Sequence, residues 1–483
     1  MKLKDLLYQV PCLSEIPDIE VQGITSDSRE LEPGWVFVCR KGLRFDGHEH
    51  AQEALRQGAC AVVCERDLGL EAQVVVQNTQ DAYAVLCANF FGRPADHLKL
   101  IGVTGTNGKT TSAFLVKHIL TQAGKQTGLI GTVQNEIGTL VLPARFTTPD
   151  PYQLHSMLAQ MLRFGCEYVV MEVSSHALAQ GRVHGLHFAC GIFTNLTQDH
   201  LDYHHTMEEY FAAKQSLFLQ CDTAVLNTDD PYGKRIAQQA ACRVVRCSLE
   251  DDSADYVAKN IRSRVDGSCF AMMTNSGLEK VKLPMPGKFS IYNALGALGC
   301  CIELGVPAAQ AAAALESCHG VTGRFEVIPT GLDFTVVRDY AHTTDGIEKI
   351  LSTVQELGAK RVITLFGCAG CRDSSKRADM GETAAKYSDF VILTSDNPRE
   401  EPEQQIIDHA LPGVLRTKKP YRVILDRYEA IAWALSFCQA GDILMLLGKG
   451  HEDYQVLDYG SIYFNEREIV QQLAKKLLQE EQA

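Results

Sequence analysis

Short apolar runs alternate with helix-period segments along most of the chain. Continuous apolar runs predict strands at 35–38, 61–63 and 74–76, with a helix-like piece at 51–58 between them. A longer buried-strand pattern spans 98–104 and leads into a glycine-rich turn. Beyond that turn Phe114, Leu115, Ile119 and Leu120 fall at helical spacing. Further strand-like runs lie at 168–173, 190–194 and 224–227, and a third series at 334–337, 361–366, 390–394 and 442–447. Strands that alternate with helices predict parallel sheets covered on both faces. Ligands of such open sheets sit beyond the carboxyl ends of the strands.

The pattern therefore predicts an α/β protein of three domains, at 1–97, 98–326 and 327–483. A chain of 483 residues exceeds what one core usually holds. Hydrophobic content of 46% and charged content of 22% are those of an ordinary globular chain. The net charge of -13, with no Lys/Arg-rich block, argues against nucleic acid or an anionic membrane as a partner. A few positioned cations can still hold a small anionic substrate. The 17 cysteines are scattered through apolar runs, which suits reduced core residues better than a disulfide framework. Asp5 and Pro11 interrupt the N-terminal segment, so no signal peptide is expected, and no apolar run reaches membrane-span length. A cytoplasmic location is expected.

The sharpest local signal is Gly102-Val-Thr-Gly-Thr-Asn-Gly-Lys-Thr-Thr111. A strand, a glycine turn and Lys-Thr opening a helix make a phosphate cradle. Gly105, Thr106, Asn107, Gly108, Lys109, Thr110 and Thr111 are its candidate ATP-binding residues. Backbone N–H groups and the helix N-terminus face the phosphates, Lys109 reaches the β- and γ-phosphates, and the Thr110 hydroxyl takes Mg²⁺. Val103 stands where such loops usually begin with glycine. The bland alternative is a tight turn with a surface lysine. A phosphate loop alone leaves kinase, GTPase, motor and ligase open.

The variant Thr-Gly-Thr-Asn-Gly-Lys-Thr resembles the phosphate loop of the Mur ligases, ATP-dependent enzymes that form amide bonds on the peptidoglycan precursor. The resemblance runs through nearly the whole chain. It implies an N-terminal UDP-binding domain, a central phosphate-loop ATPase domain and a C-terminal Rossmann-like domain. It is closest to the branch that adds the third residue of the stem peptide, meso-diaminopimelate or lysine. Thr25-Ser-Asp-Ser-Arg29 resembles the segment that receives the UDP end, with Ser28 in contact. Phe45-Asp-Gly-His48 also fits the family's first domain. Thr147-Thr-Pro-Asp150 resembles the loop holding the muramoyl peptide, through Thr147 and Thr148. In the segment after the strand at 168–173, the resemblance implies Glu172 as an Mg²⁺ ligand and Ser174, Gln180 and Arg182 as substrate contacts. His200 matches a second metal ligand. Lys214 matches a lysine that the family carbamylates with CO2, giving an anion able to ligate Mg²⁺. From spacing alone Lys214 reads as an exposed helix lysine. Asn293 matches an adenine-side asparagine, while Ser290 stands where the family usually has Asn. Gly323-Arg-Phe-Glu326 marks the passage into the third domain, and Asp339-Tyr-Ala-His342 matches a family motif followed by Thr344 in place of Pro.

The third domain is expected to select the incoming amino acid. Phe366-Gly-Cys-Ala-Gly-Cys-Arg-Asp-Ser-Ser-Lys-Arg377 resembles a glycine-rich loop in which Arg372 is the substrate arginine; Ala369, Cys371 and Ser375 depart from it. Cys368 and Cys371 also read as a C-x-x-C pair, but no second pair completes a zinc site. Diaminopimelate is lysine with a further carboxylate on the far carbon, so a site that prefers it needs a cation there. Asp396-Asn-Pro-Arg399 resembles the motif of diaminopimelate-adding members, and an arginine such as Arg399 offers a bidentate partner. The alternative is an Asn397-Pro398 turn with a surface arginine. Gly448 and Glu452 match positions that hold the amino-acid end.

The implied reaction joins diaminopimelate to the D-glutamyl γ-carboxylate of UDP-N-acetylmuramoyl-L-alanyl-D-glutamate through an acyl phosphate. Lys109, His200 and carbamylated Lys214 are its catalytic centre, Mg²⁺ its metal, and a monomer is expected. A lysine-adding or otherwise divergent paralogue, and a phosphate-loop binding protein without ligase activity, are the rival readings.

Overall fold

The computed structural model describes residues 1–42, 45–275 and 277–481. Its central parallel strands are valine-, isoleucine- and leucine-rich runs of the sequence, buried on both faces as parallel sheets require. The first sheet is wholly parallel and runs Gly23–Thr25, Trp35–Val38, Ala61–Cys64, Gln73–Val75. The helix Thr79–Phe90 covers it through Ala82, Tyr83, Leu86 and Cys87.

The central sheet has eleven strands among the described residues. Its parallel core runs Tyr256–Arg264, Arg243–Ser248, Cys221–Asn227, Phe188–Phe193, Lys99–Thr104, Tyr168–Glu172, Thr127–Ile130. Antiparallel strands extend both edges. Two apolar layers lie on its faces. One is built by the helices Lys109–Gln122 and Lys288–Glu303, the other by Pro151–Arg163 and Met207–Gln215. Leu115, Ile119 and Leu120 are buried as their spacing requires.

The third sheet runs Glu326–Ile328, Thr335–Asp339, Ile443–Leu447, Val362–Phe366, Phe390–Leu393, Tyr421–Val423, and only its first pair is antiparallel. The strand expected at 334–337 extends to Asp339, which brings that carboxylate to the sheet's carboxyl end. A hairpin, Tyr454–Leu457 with Gly460–Tyr463, follows the last strand. All 17 cysteines are free. No helix among the described residues is long and apolar enough to cross a membrane.

Candidate active site

The loop between the strand Lys99–Thr104 and the helix Lys109–Gln122 is shaped by two glycines. Gly105 has φ +147° and Gly108, the helix N-cap, φ +87°. A Cβ at Gly105 would run into Thr194 Oγ1, and one at Gly108 into Asn293 Oδ1. The loop is therefore moulded onto the neighbouring turn and onto the helix Lys288–Glu303. Asn195 fixes its backbone: its carbonyl accepts from the Thr106 N–H at 2.8 Å and its side-chain oxygen from the Asn107 N–H at 3.0 Å. Asn293 lies against this loop, where its Oδ1 accepts from Ser112 Oγ at 3.4 Å. Ser290 donates its hydroxyl to the Pro286 carbonyl at 2.7 Å, within the start of its own helix.

Two lysines meet this loop from opposite sides. Lys109 Nζ donates to the carbonyls of Gly105 and Thr106 at 3.0 and 2.8 Å. Lys214, from the helix Met207–Gln215, donates to the same Gly105 carbonyl at 2.7 Å and lies 4.7 Å from the Tyr210 ring centroid. Lys214 is buried, which corrects the reading of an exposed helix lysine. The helix face that carries it packs against the sheet, so spacing within the helix could not show this. Desolvation pushes the Lys214 amine well below its ordinary pKa, and the Lys109 charge adds to the effect. Desolvation also lowers Lys109, against the opposing pull of Glu172.

Glu172 ends the strand Tyr168–Glu172 and is buried. Its Oε2 accepts from the hydroxyls of Thr110 and Thr132, each at 3.0 Å, and its Oε1 from the Thr132 N–H at 2.8 Å. Thr132 also meets Thr147, hydroxyl to hydroxyl, at 3.0 Å. Thr148 donates to the Glu172 carbonyl at 2.8 Å and accepts from the Ser174 N–H at 3.1 Å. Arg182 donates to the Thr148 carbonyl at 2.8 Å and to Gln180 Oε1 at 2.7 Å. The residues expected to hold the muramoyl peptide thus form one network, continuous with Thr110. Arg40 of the first domain donates to Asp150, two residues beyond Thr148, at 2.9 Å. Ser28 opens the adjoining turn Ser28–Glu30, capped by Asp27.

His200 has φ +54° and precedes the short helix Leu201–His204. Its ring meets that of His176 edge-on at 4.8 Å, and desolvation lowers its pKa. Asp199 beside it faces Lys376 of the third domain at 3.6 Å.

At the carboxyl ends of the third sheet, Asp396, Asn397 and Pro398 are buried. Asn397 Nδ2 donates to Glu452 Oε2 at 2.8 Å. A Cβ at Gly448, φ +110°, would run into Asp396 Oδ2. Arg399 has φ +56°, donates its N–H to the Val456 carbonyl at 3.0 Å, and reaches the Gly370 carbonyl with its guanidinium at 2.7 Å. This ties it to the loop that carries the exposed Arg372. Arg377, which opens the helix Arg377–Lys386 after that loop, donates to both Glu401 carboxylate oxygens at 2.6 and 2.7 Å. Cys368 is buried, with its thiol pushed up to about 12 by desolvation, while Cys371 is exposed.

Three contacts made by residues 324–345, at the passage into the third domain, were not expected from the sequence. Arg324 donates to Thr110 Oγ1 at 3.2 Å, and its guanidinium sits 4.6 Å from the Tyr340 ring centroid. Asp345 accepts from Asn107 at 2.8 Å and from Thr197 at 3.2 Å. Tyr340 OH lies 3.5 Å from Glu452 Oε1. Arg324 lies in Gly323-Arg-Phe-Glu326, a segment whose sequence signal is that of a domain boundary. Thr132 follows the strand Thr127–Ile130, and that position was its only local signal.

A phosphate loop, a buried carboxylate bonded to its threonine, and a third domain whose side chains reach the same loop define an ATP-handling α/β enzyme. Three family models match the chain: "Mur ligase family, catalytic domain" at 20–89, "Mur ligase middle domain" at 103–301 and "Mur ligase, glutamate ligase domain" at 323–450. The chain belongs to the Mur ligase family. A protein of Syntrophomonas wolfei named UDP-N-acetylmuramoyl-L-alanyl-D-glutamate--2,6-diaminopimelate ligase is 42% identical over 98% of this chain and 99% of its own. A Caldanaerobacter subterraneus protein of the same name is 43% identical, over 98% and 99%. A solved structure bearing that enzyme's name superposes with a TM-score of 0.71 at 30% identity, covering 99% of both chains. A Thermotoga maritima MurF ligase solved with ADP shares the fold at a TM-score of 0.61 and 20% identity, over 97% of this chain and 100% of its own.

Proposed function

We propose that the chain is the ATP-dependent ligase that adds meso-2,6-diaminopimelate to the D-glutamyl γ-carboxylate of UDP-N-acetylmuramoyl-L-alanyl-D-glutamate in peptidoglycan synthesis. The observation that carries this reading is the pairing of two sites. Thr110, Glu172, Lys109 and Lys214 gather at the phosphate loop, while Asn397, Glu452 and Arg399 gather in the third domain. Near-full-length identity of about 42% to enzymes named for this reaction supports it. We assign the domains to 1–97, 98–326 and 327–483, and the reaction to a monomer in the cytoplasm.

In this reading Gly105 to Thr111 hold the triphosphate and Asn293 supports the loop from below. Ser28 receives the UDP end, and Thr147, Thr148, Ser174, Gln180 and Arg182 hold the muramoyl dipeptide. The γ-carboxylate attacks the γ-phosphate of ATP, and the resulting acyl phosphate is opened by the diaminopimelate amine with release of phosphate. Lys109 leaves its loop carbonyls to meet the phosphates. Arg324, already at Thr110, faces the same charge.

The donor set suits Mg²⁺: Thr110 and Glu172 offer hard oxygens within hydrogen-bond reach of each other, and His200 lies in the same region. An ammonium at Lys214 would repel a cation. The buried amine, bonded only to a carbonyl, fits once CO2 converts it to a carbamate. When bound, the metal offsets the repulsion between carboxylate and triphosphate. In the third domain Glu452 and Asn397 take the ammonium end of diaminopimelate, and Arg399 with Arg372 takes the far carboxylate; Asp396, Pro398 and Gly448 shape that pocket.

A panel of amino acids offered with the UDP-muramoyl dipeptide and ATP tests the reading by phosphate release. Release with diaminopimelate and little with lysine is expected. Lysine as the better substrate would give the reaction to the lysine-adding branch. Release with another amino acid alone would give it to a divergent paralogue, and release with none would reject the ligase assignment.

A further inference from the structure

Lys449 lies between the last sheet strand, Ile443–Leu447, and the hairpin that follows it. Its side chain is 0% exposed. Long cationic side chains are almost never fully buried unless paired. Here the ammonium donates to Asn397 Oδ1 and to Glu452 Oε2, each at 3.2 Å, and lies 5.6 Å from the Tyr454 ring centroid.

This cation settles the orientation of two groups at once. Asn397 Oδ1 also accepts from the Val456 N–H at 2.9 Å, so the amide oxygen faces two donors and its Nδ2 must turn to Glu452. Glu452 Oε2 then has two protein donors, Asn397 Nδ2 and Lys449 Nζ. Among the described residues its Oε1 has only the distant Tyr340 hydroxyl, at 3.5 Å. The carboxylate is thus divided into one oxygen committed to the protein and one left for a ligand.

We infer that Lys449 is a positioning residue for the incoming amino acid. It acts through Glu452 and Asn397 and presents Glu452 Oε1 to the substrate ammonium. The inference rests on the assignment of Glu452 to the diaminopimelate site. It differs from a general packing role because it predicts an effect confined to one substrate.

The test uses the full-length enzyme and steady-state kinetics with diaminopimelate and ATP varied in turn. Lys449→Met keeps the length of the side chain and removes the charge. It should raise the Michaelis constant for diaminopimelate at least about tenfold, with kcat and the constant for ATP within about twofold of wild type. Equal changes in both Michaelis constants, or a loss of kcat alone, would overturn the inference. Should the single variant fail to fold because Glu452 is left unpaired, Lys449→Met/Glu452→Gln is compared with Glu452→Gln. No further rise for diaminopimelate is expected in the double variant, because both changes act through one carboxylate. A multiplied rise would overturn the inference. Glu452→Gln alone without effect on diaminopimelate would remove the reading beneath it. An effect of Glu452→Gln with a silent Lys449→Met leaves that reading standing and removes only the role of Lys449.

Discussion

Lys214 Nζ donates to the Gly105 carbonyl at 2.7 Å, so a buried amine from one helix touches the first glycine of the phosphate loop. Lys109 donates to the same carbonyl at 3.0 Å. Two amines on one oxygen repel each other, and both are desolvated. In the proposed reading the site awaits anions: phosphates would relieve Lys109, and carbamylation would turn Lys214 itself into an anion. Lys214→Ala should lower kcat by on the order of 10²–10³-fold. Acetate or formate should restore part of the rate by supplying the missing carboxylate. Turnover at the wild-type rate, or a loss that no carboxylate relieves, would contradict the carbamate.

Glu172 should set the metal requirement. It already accepts from Thr110, the loop hydroxyl assigned to Mg²⁺. Glu172→Gln keeps a hydrogen-bonding side chain but loses the charge. The Mg²⁺ concentration giving half-maximal rate should rise about tenfold or more. An unchanged Mg²⁺ titration would place the ion elsewhere.

Arg324, at the end of the central domain, donates to Thr110, and its guanidinium is stacked over Tyr340 of the third domain. Arg324→Ala should lower kcat by on the order of 10²-fold or more through lost charge stabilisation at the transferred phosphoryl group. Arg324→Lys should recover only part, because a point charge cannot replace the planar fork. Equal rates in wild type and Arg324→Ala would show that this contact does not serve the reaction.

His155 gives the chain an acid-sensitive point away from the site. It is 1% exposed, neither ring nitrogen has a hydrogen-bond partner among the described residues, and desolvation pushes its pKa from 6.5 down to about 4. The folded chain therefore takes up this proton less readily than the unfolded chain. The stability tied to a neutral ring is fully present above about pH 6.5 and is lost as pH falls toward 4, by on the order of 3 kcal/mol. Denaturant titrations of wild type and His155→Met between pH 7 and 4 should show a steeper acid loss in wild type. Parallel curves would mean that His155 is not the acid-sensitive group.

The strands, the phosphate loop and the order of the motifs were legible in the sequence because each is a local pattern. An apolar run, two glycines and Lys-Thr at a helix start carry their own physics. The Thr147, Glu172 and Arg182 segments were legible only through resemblance, yet the structure joins them in one hydrogen-bond network. What the sequence did not reveal lies between elements far apart in the chain. Lys214 is buried because of what its helix packs against. Arg324, Asp345 and Lys449 gain their partners only when the third domain meets the central one or when a loop returns to Asn397. No spacing rule reports such neighbours.

Arg399, held over the Gly370 carbonyl, is the proposed source of the third domain's preference for a second carboxylate. The most direct measurement is the Michaelis constant of wild type and Arg399→Ala for diaminopimelate and for lysine, in the presence of the UDP-muramoyl dipeptide. A rise of roughly 10²-fold for diaminopimelate, with lysine nearly unchanged, is the expected result. Equal changes for the two amino acids would contradict the account.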